Sequence, residues 1–424
     1  MSSPPITPLS HSYSASFAIL VGVSIPSLAF GRVVFAIVIG LALIFLMLTP
    51  LFKVSWQTLM ANMRTFVGGL IILIMFSWSV SAMGSDFPDR SFEASIRTGL
   101  FIITAVFIYA ALSCDTYLSM LCLKSLILTT FVASGIALLA SSIFPELYWL
   151  LRLKGWQSTP LETEFKGYSS LIVFLSPLLL IGIIRLNPLW KATALAGTTM
   201  LFSIMLLSVN RSAIAGLLSM VMIFSFTQFF RPKYQKKALA ICAAFFTILI
   251  SVIFWLRYAR FYIVTKNQES LTSVSEGAWL FPIWLIDFQR QTIWKFTIDI
   301  WTKAPWLGIG QNTINFRPGA DTPLPGDSSL RIIPAHPHNW VVEMLAETGA
   351  FGLALVLLAI VITGTHWLRR YVKDGDFAIL SLVLISSGYW GSGLFNFSYW
   401  SAWWQLSFFI ALAVSFSLAQ DRKL

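Results

Sequence analysis

Residues 334–349, Pro-Ala-His-Pro-His-Asn-Trp-Val-Val-Glu-Met-Leu-Ala-Glu-Thr-Gly, join the longest hydrophilic segment of the chain to a hydrophobic one. They contain two of its four histidines. Proline is tolerated at a helix start because its missing N–H would have no partner in the first turn. Pro337 therefore predicts a helix that begins near His338. The His338 side chain would then lie at the N-terminal end of the helix, within reach of water.

The composition of the whole chain indicates a polytopic membrane protein. Of its 424 residues, 57% are hydrophobic and only 11% are charged, against about 25% charged residues in ordinary soluble domains. Apolar runs long enough to cross a hydrocarbon core of about 30 Å recur from end to end. We expect an all-α protein of about 12 transmembrane helices with a helical periplasmic loop region. The predicted spans are residues 14–30, 33–52, 66–83, 98–113, 118–142, 169–184, 189–208, 212–230, 238–256, 349–367, 377–395 and 400–418.

These spans divide the chain into three parts. Residues 1–256 hold the first nine predicted helices, residues 257–337 form a large loop region, and residues 338–424 hold the last three. The loop region is longer than a connector needs to be, and long loops on a rigid scaffold usually carry function. Within it, apolar residues near a 3.6-residue period predict an amphipathic helix over residues 287–303.

The distribution of positive charge predicts the orientation of the chain. The formal net charge is +11. With the N-terminus inside, nearly all of this excess lies in predicted cytoplasmic loops, as the positive-inside rule requires. Both termini are then cytoplasmic, and residues 257–337 lie on the opposite face. No basic outer patch remains for a phosphate backbone, so nucleic acid is excluded as a partner. Residues 1–30 lack the basic start of a cleaved signal peptide, so they are interpreted as a retained first span.

Cysteines and carboxylates give little support for a metal site or a disulfide. An acidic outer loop with Asp86, Asp89 and Glu93 has ligands for a divalent cation, but a solvated loop explains it better. We therefore predict no metal and no cofactor. Three cysteines lie in or beside predicted spans without a Cys-x-x-Cys spacing: Cys114, Cys122 and Cys242.

Two arginines and one histidine are predicted on the same side of the membrane. Arg211 lies at the outer boundary between two spans, where an unpaired charge is costly. Arg290 lies in the loop region and His338 at its end. Arginine suits a pyrophosphate because its planar guanidinium donates two parallel hydrogen bonds and stays charged. Histidine suits removal of a hydroxyl proton near neutral pH, typically worth about 10²–10⁴ in rate.

Further polar residues near these three are candidate substrate contacts. Gln311, Asn312 and Asn339 suit sugar or phosphate, although each also suits a backbone cap. Tyr399 suits stacking on a sugar, although a position in the aromatic belt of the membrane explains it equally. His336, between two prolines, is at most a supporting residue. Two acidic residues of the opening stretch form a polar face without an assigned purpose: Glu343 and Glu347.

Several motifs around these residues resemble those of the O-antigen ligase and polymerase superfamily of polytopic glycan transferases. The resemblance covers residues 200–365 in detail and the layout of spans overall. It implies a GT-C-like fold and a transferase whose arginines hold the pyrophosphate of a polyprenyl-linked glycan while a histidine assists the acceptor. These roles fall on Arg211, Arg290 and His338. The matching pieces are Asn210-Arg-Ser-Ala-Ile-Ala-Gly216, Arg290-Gln-Thr-Ile-Trp294, Pro305-Trp-Leu-Gly-Ile-Gly-Gln-Asn312 and His338-Asn-Trp-Val-Val-Glu-Met-Leu-Ala-Glu-Thr-Gly-Ala-Phe-Gly352.

Within that superfamily, the resemblance favours an O-antigen ligase. Such an enzyme moves a polysaccharide from undecaprenyl pyrophosphate to a sugar hydroxyl of lipid A-core, with inversion and without metal, at the periplasmic face of the bacterial inner membrane. Alternatives with the same donor are an O-antigen polymerase and a protein O-oligosaccharyltransferase. An alternative of another class is a lipid-linked glycan flippase or a small-anion transporter. The scarcity of ionisable residues at the centres of the spans argues against transport.

Overall fold

The computed structural model of the chain describes residues 8–146, 149, 161–208, 210–231, 288–324, 327–395 and 397–419, with isolated positions between 240 and 254. Short 3-10 helices lie at Leu28–Phe30 and Ile314–Phe316, and β1 (Pro323–Leu324) pairs antiparallel with β2 (Asp327–Arg331). The α-helices are α1 Pro8–Ser27, α2 Arg32–Met47, α3 Leu51–Met63, α4 Phe66–Met83, α5 Pro88–Leu112, α6 Thr116–Ser142, α7 Leu161–Ser170, α8 Ile172–Arg185, α9 Pro188–Leu207, α10 Arg211–Phe229, α11 Phe288–Trp301, α12 Trp340–Asp374, α13 Phe377–Gly393 and α14 Ala402–Ala419.

The helices confirm an all-α polytopic membrane protein. Within the described residues, eight are long and apolar enough to cross a membrane, or up to ten spans result if each of two bent helix pairs crosses once. Helix α13 is apolar but shorter than these. The predicted span over residues 238–256 lies largely outside the described residues, as does the loop region before residue 288. A total of twelve therefore stays a prediction.

Helices α2 and α3 correct the predicted course of the chain after the second span. The spans predicted at residues 33–52 and 66–83 leave residues 53–65 as a connecting segment. Instead, α2 ends at Met47, and α3 begins at Leu51 at an angle of 99° to it. The hydroxyl of Ser55 in α3 donates to the carbonyl of Phe107 in α5, at 3.1 Å. The polar segment is thus a helix packed against the bundle.

Small residues bring α10 and α13 into close contact. A Cβ on Gly216 of α10 would lie 2.9 Å from the carbonyl oxygen of Gly388 in α13, so only glycine permits this approach. Five residues further along α13, Gly393 lies against the indole of Trp340, the first residue of α12. Arg211, at the start of α10, therefore lies at the same end of the bundle as the start of α12.

Helix α12 is broken at Gly349, whose φ of 70° and ψ of 176° are not helical. The loop segment 305–310 runs along the break and replaces the lost helical hydrogen bonds. The N–H of Ala350 donates to the carbonyl of Pro305 at 2.9 Å, and the N–H of Gly310 donates to the carbonyl of Glu347 at 3.0 Å. A Cβ on Gly349 would lie 2.2 Å from the Trp306 carbonyl oxygen. The break separates residues 340–348 from the long apolar part of α12.

Candidate functional site

The helix of the opening motif begins at Trp340, two residues later than the sequence predicted. Asn339 supplies the N-cap, because its side-chain oxygen accepts hydrogen bonds from the N–H groups of Val341 (3.0 Å) and Val342 (3.4 Å). Pro337 precedes the cap instead of occupying the first turn. His338 therefore lies in the loop immediately before the capped helix.

His338 has a left-handed backbone conformation, with φ 55°, which is uncommon for a residue other than glycine. Its N–H donates to Nδ1 of His336 at 3.2 Å, and the two ring centroids are 4.2 Å apart. Burial and the neighbouring His338 ring lower the pKa of His336 to about 3. His336 is therefore neutral near pH 7 and, since its Nδ1 is an acceptor, carries its proton on Nε2.

Arg290 lies on α11, which confirms the amphipathic helix predicted over residues 287–303, with described bounds of Phe288–Trp301. One turn further along, Trp294 is buried and its indole N–H donates to the carbonyl of Pro337 at 3.0 Å. Ile293 and Trp294 also belong to an apolar cluster with Ala346 of α12. The helix that carries Arg290 is thus attached directly to the segment that carries His338.

Arg211 is the first residue of α10, and Asn210 caps this helix. The Asn210 side chain accepts from the N–H of Ala213 at 3.2 Å and donates to the carbonyl of Lys166 at 2.8 Å. Arg211 itself is exposed, and no hydrogen bond or ion pair joins it to the described residues. The N-terminus of a helix carries partial positive charge, so the arginine and the helix end together favour an anion.

Glu347, one of the two acidic residues without an assigned purpose, is fully buried and accepts four hydrogen bonds. The donors are the backbone N–H groups of residues 312, 313 and 314, at 2.8 to 2.9 Å, and the indole N–H of Trp400. Each of the two carboxyl oxygens thus accepts two hydrogen bonds. Glu347 therefore attaches both the 312–314 loop and the last outer turn to α12.

Glu343, one helical turn earlier, is also buried. It accepts hydrogen bonds from the hydroxyl of Ser398 and from the N–H of Tyr399. The two glutamates thus hold the 398–400 turn beside the start of α12. Sequence reasoning missed this role. The available signal was two carboxylates spaced at i and i+4 on one face of an otherwise apolar helix.

The four other candidate contacts have different surroundings. Gln311 is fully buried, and its amide donates to the carbonyl of Trp78 at 3.1 Å. Asn312 has a φ of 58° and a partly exposed side chain. The Asn339 side-chain oxygen is occupied by the cap described above. Tyr399 is buried and stacks on Trp390, with ring centroids 6.0 Å apart and planes at 10°. Gln311 and Tyr399 therefore contact mainly the protein interior.

Two carboxylates of the acidic outer loop are paired with arginines. Asp86 forms an ion pair with Arg317, and Glu93 with Arg97. Within the described ranges, no group of three or more His, Cys, Asp or Glu side chains is arranged to hold a metal ion. These arginines thus pair with two of the three candidate metal ligands in this loop, Asp86 and Glu93.

Residues 196–357 match the family model described as O-antigen ligase. The chain is similar to O-antigen ligases over this range. Arg211, Arg290 and His338 all lie within the match, as do the Gly349 break and both buried glutamates. The resemblance predicted from the motifs is therefore confirmed.

Two proteins named provisionally as polysaccharide ligases also resemble the chain. They come from Rickettsia typhi and Rickettsia prowazekii, and each is 27% identical to it over 125 residues. The aligned stretch is 28% of this chain and 29% of each relative. The similarity therefore spans less than a third of the length of these relatives.

Proposed function

We propose that the chain is an O-antigen ligase of lipopolysaccharide biosynthesis. It transfers a polysaccharide from undecaprenyl pyrophosphate to a sugar hydroxyl of lipid A-core, with membrane lipids around both substrates. The family match and the relatives named as polysaccharide ligases support this class of activity. Arg211, Arg290 and His338 support the donor chemistry, because they provide two cations and one base for a pyrophosphate leaving group.

The observation that carries the proposal is the hydrogen bond from Trp294 to the carbonyl of Pro337. It joins the helix of Arg290 to the residue before His338, across 43 positions of sequence. The glycine contacts between α10 and α13 bring the start of α10, and with it Arg211, to the same end of the bundle. All three proposed functional residues thus belong to one end of the molecule.

The proposed reaction is a single displacement. His338 accepts the proton of the acceptor hydroxyl, and the hydroxyl oxygen bonds to the anomeric carbon as the bond from that carbon to the diphosphate oxygen breaks. The sugar configuration inverts, and undecaprenyl pyrophosphate leaves. Arg211 and Arg290 stabilise the charge that develops on the diphosphate. Guanidinium groups can supply this stabilisation without a metal ion, so we propose a metal-independent reaction.

The distribution of charge in the structure supports a site on the periplasmic face of the inner membrane. Helix α12 starts beside His338 and reaches its other end at Arg369, Arg370 and Lys373. Near that end, Arg185 forms an ion pair with Asp376 at 2.7 Å. A basic end belongs in the cytoplasm by the positive-inside rule, which leaves the end with His338 outside.

An acceptor assay tests this function. Purified protein in detergent micelles is mixed with a polyprenyl-pyrophosphate glycan and with lipid A-core, a second lipid-linked glycan or a protein acceptor. We expect transfer to lipid A-core, without a membrane gradient and unaffected by EDTA. Transfer only to the lipid-linked glycan would identify a polymerase, and transfer only to the protein would identify an oligosaccharyltransferase. If no acceptor gives a product, the ligase, the polymerase and the oligosaccharyltransferase are all contradicted, and a transporter is the remaining alternative.

A further inference from the structure

One peptide group, which joins Pro337 to His338, is held at both of its polar atoms. Its carbonyl oxygen accepts the indole N–H of Trp294 at 3.0 Å, and its N–H donates to Nδ1 of His336 at 3.2 Å. A peptide group is planar, so turning it would break both hydrogen bonds together. We call this arrangement the 337–338 clamp.

The clamp holds a backbone conformation that costs energy. His338 has φ 55°, and the rotation about φ is the rotation next to the clamped N–H. A residue with a Cβ keeps such a conformation only where its surroundings impose it. On the other side of His338, the cap by Asn339 fixes the chain through the N–H groups of Val341 and Val342. The backbone of His338 is therefore fixed from both sides.

The two residues of the clamp are themselves well anchored. Trp294 is 5% exposed and packs with Ile293 and Ala346 between α11 and α12. His336 is partly buried, and Pro337, which follows it directly, restricts its backbone. Trp294 also lies one helical turn from Arg290, so its hydrogen bond connects the proposed donor-binding helix with the proposed base.

We propose that Trp294 and His336 are positioning residues, which hold the imidazole of His338 in the orientation that accepts the proton of the acceptor hydroxyl. This proposal rests on the proposed function of His338 as the base. Trp294 acts through the backbone of His338, and His336 acts through that backbone and through its ring, whose centroid lies 4.2 Å from that of His338. Their loss should lower kcat and leave the KM for the lipid-linked donor unchanged.

Three substitutions separate the hydrogen bonds from the packing. Trp294→Phe keeps an aromatic ring but removes the N–H, and His336→Leu removes the acceptor. His336→Asn keeps a side-chain acceptor that suits a backbone N–H two residues further on. We expect kcat to fall about 3- to 10-fold in the first two variants, as the net worth of one hydrogen bond implies, and to recover in His336→Asn. A fall in both thermal stability and donor affinity, or no fall in kcat, overturns the proposal.

Trp301→Phe is a matched control on the same helix. Its indole N–H also donates to a backbone carbonyl, that of Pro305, at 2.9 Å. It lies outside the clamp, and we expect kcat to stay within about twofold of the wild type. An equal loss of kcat in Trp301→Phe and Trp294→Phe would show a general effect of tryptophan removal on α11 and would overturn the specific role of Trp294.

A second background shows whether the clamp acts through His338. In a chain that already carries His338→Ala, adding Trp294→Phe or His336→Leu should leave the residual rate unchanged, because the group that they position is absent. If each substitution lowers the residual rate by the same factor as in the wild type, Trp294 and His336 act independently of His338, and the proposal fails.

Hydrogen exchange tests whether the clamp exists, and this measurement does not depend on glycan transfer. The amide of His338 should exchange faster in His336→Leu and in Trp294→Phe, and at the wild-type rate in His336→Asn and Trp301→Phe. Unchanged exchange in both loss variants overturns the clamp. If the variants show the expected differences in exchange but the wild-type chain transfers glycan to no acceptor, the clamp stands and only the proposed function is overturned.

Discussion

At the scale of single residues, the guanidinium of Arg211 is exposed at a helix end that Asn210 fixes. The Asn210 side chain satisfies the N–H of Ala213 and reaches the carbonyl of Lys166, so the start of α10 is held in place. Arg290 is one turn from Trp294, whose indole N–H donates to the carbonyl of Pro337. The capped helix end keeps the backbone of Arg211 in place, and we propose that its planar guanidinium binds the diphosphate of the donor.

The two arginines should differ from lysine in donor binding. We expect Arg211→Lys and Arg290→Lys to raise the KM for the lipid-linked donor about tenfold each, because lysine keeps the charge but loses the parallel pair of hydrogen bonds. The KM for the acceptor should stay unchanged. Steady-state kinetics with each substrate varied in turn measures both.

Arg331→Lys is the matched control for these substitutions. Arg331 is exposed and pairs with the exposed Asp321, and such surface pairs contribute little. Its kinetics should equal those of the wild type. A donor KM unchanged in both Arg211→Lys and Arg290→Lys would contradict the assignment of these arginines to the diphosphate.

At the scale of elements, the break in α12 lets a loop take the place of a helical turn. Segment 305–310 follows the break and bonds to the carbonyls of Ala346 and Glu347 and to the N–H of Ala350. The motif Pro-Trp-Leu-Gly-Ile-Gly thereby has a structural explanation: Gly308 and Gly310 have positive φ values and lie where a Cβ would collide with α12 or with Ser85. Segment 305–310 is therefore docked onto α12.

Substitution of Gly349 tests this docking. Gly349→Ala should lower the thermal unfolding midpoint clearly, because the residue has a φ of 70° and its Cβ would meet the Trp306 carbonyl. Gly364→Ala is the control in the same helix, where a Cβ would meet nothing within 4 Å. It should leave the midpoint unchanged or raise it slightly. Equal midpoints for the two variants would contradict the docking of segment 305–310 at the break.

Substitution of Glu347 is a second, separate test of how the loop is held on α12. Glu347→Gln places one oxygen and one NH₂ where two oxygens accept four hydrogen bonds, so at least one buried N–H loses its partner. Each such loss costs about 1–3 kcal/mol. We expect a lower unfolding midpoint and faster hydrogen exchange in residues 312–314. The control is Asp299→Asn, in an exposed pair with Lys295, which should change neither the unfolding midpoint nor the exchange. If Glu347→Gln also changes neither measurement, the carboxyl group does not hold residues 312–314.

Local features of these elements were predictable from the sequence, and their distant partners were not. Hydrophobic runs predicted the long helices, and the 3.6-residue period predicted α11. The start of α12 was predicted two residues early because Pro337 and Asn339 both suit a helix start, and only the backbone decides which one caps it. The bend at α3 was missed because a polar segment looks the same as a loop or as a helix against the bundle. Glu347 depends on N–H groups more than 30 residues away.

At the scale of the whole molecule, the two ends of the bundle differ in charge and in chemistry. The end with His338 contains both buried glutamates and the docked loop, whereas the opposite end of α12 is rich in arginine and lysine. Within the described residues, the spans between these ends hold few ionisable groups. This asymmetry was predictable from the sequence because charged residues cluster at the ends of apolar runs, and the proposed orientation rests on it.

Cysteine labelling tests the orientation. In a chain with its cysteines replaced by alanine, a cysteine at Arg331 should react with a membrane-impermeant thiol reagent from the periplasmic side of intact spheroplasts. A cysteine at Lys373 should react only after the membrane is opened, because residue 373 lies at the basic end of α12. Labelling of both positions from the same side would contradict the orientation.

The most direct test of the proposed chemistry is the transfer rate of His338→Ala with purified donor and acceptor lipids in detergent. We expect a loss of about 100-fold or more in kcat, as removal of a general base implies, while donor binding and the unfolding midpoint stay at their wild-type values. A variant that keeps more than about a tenth of the wild-type rate would show that His338 is not the base.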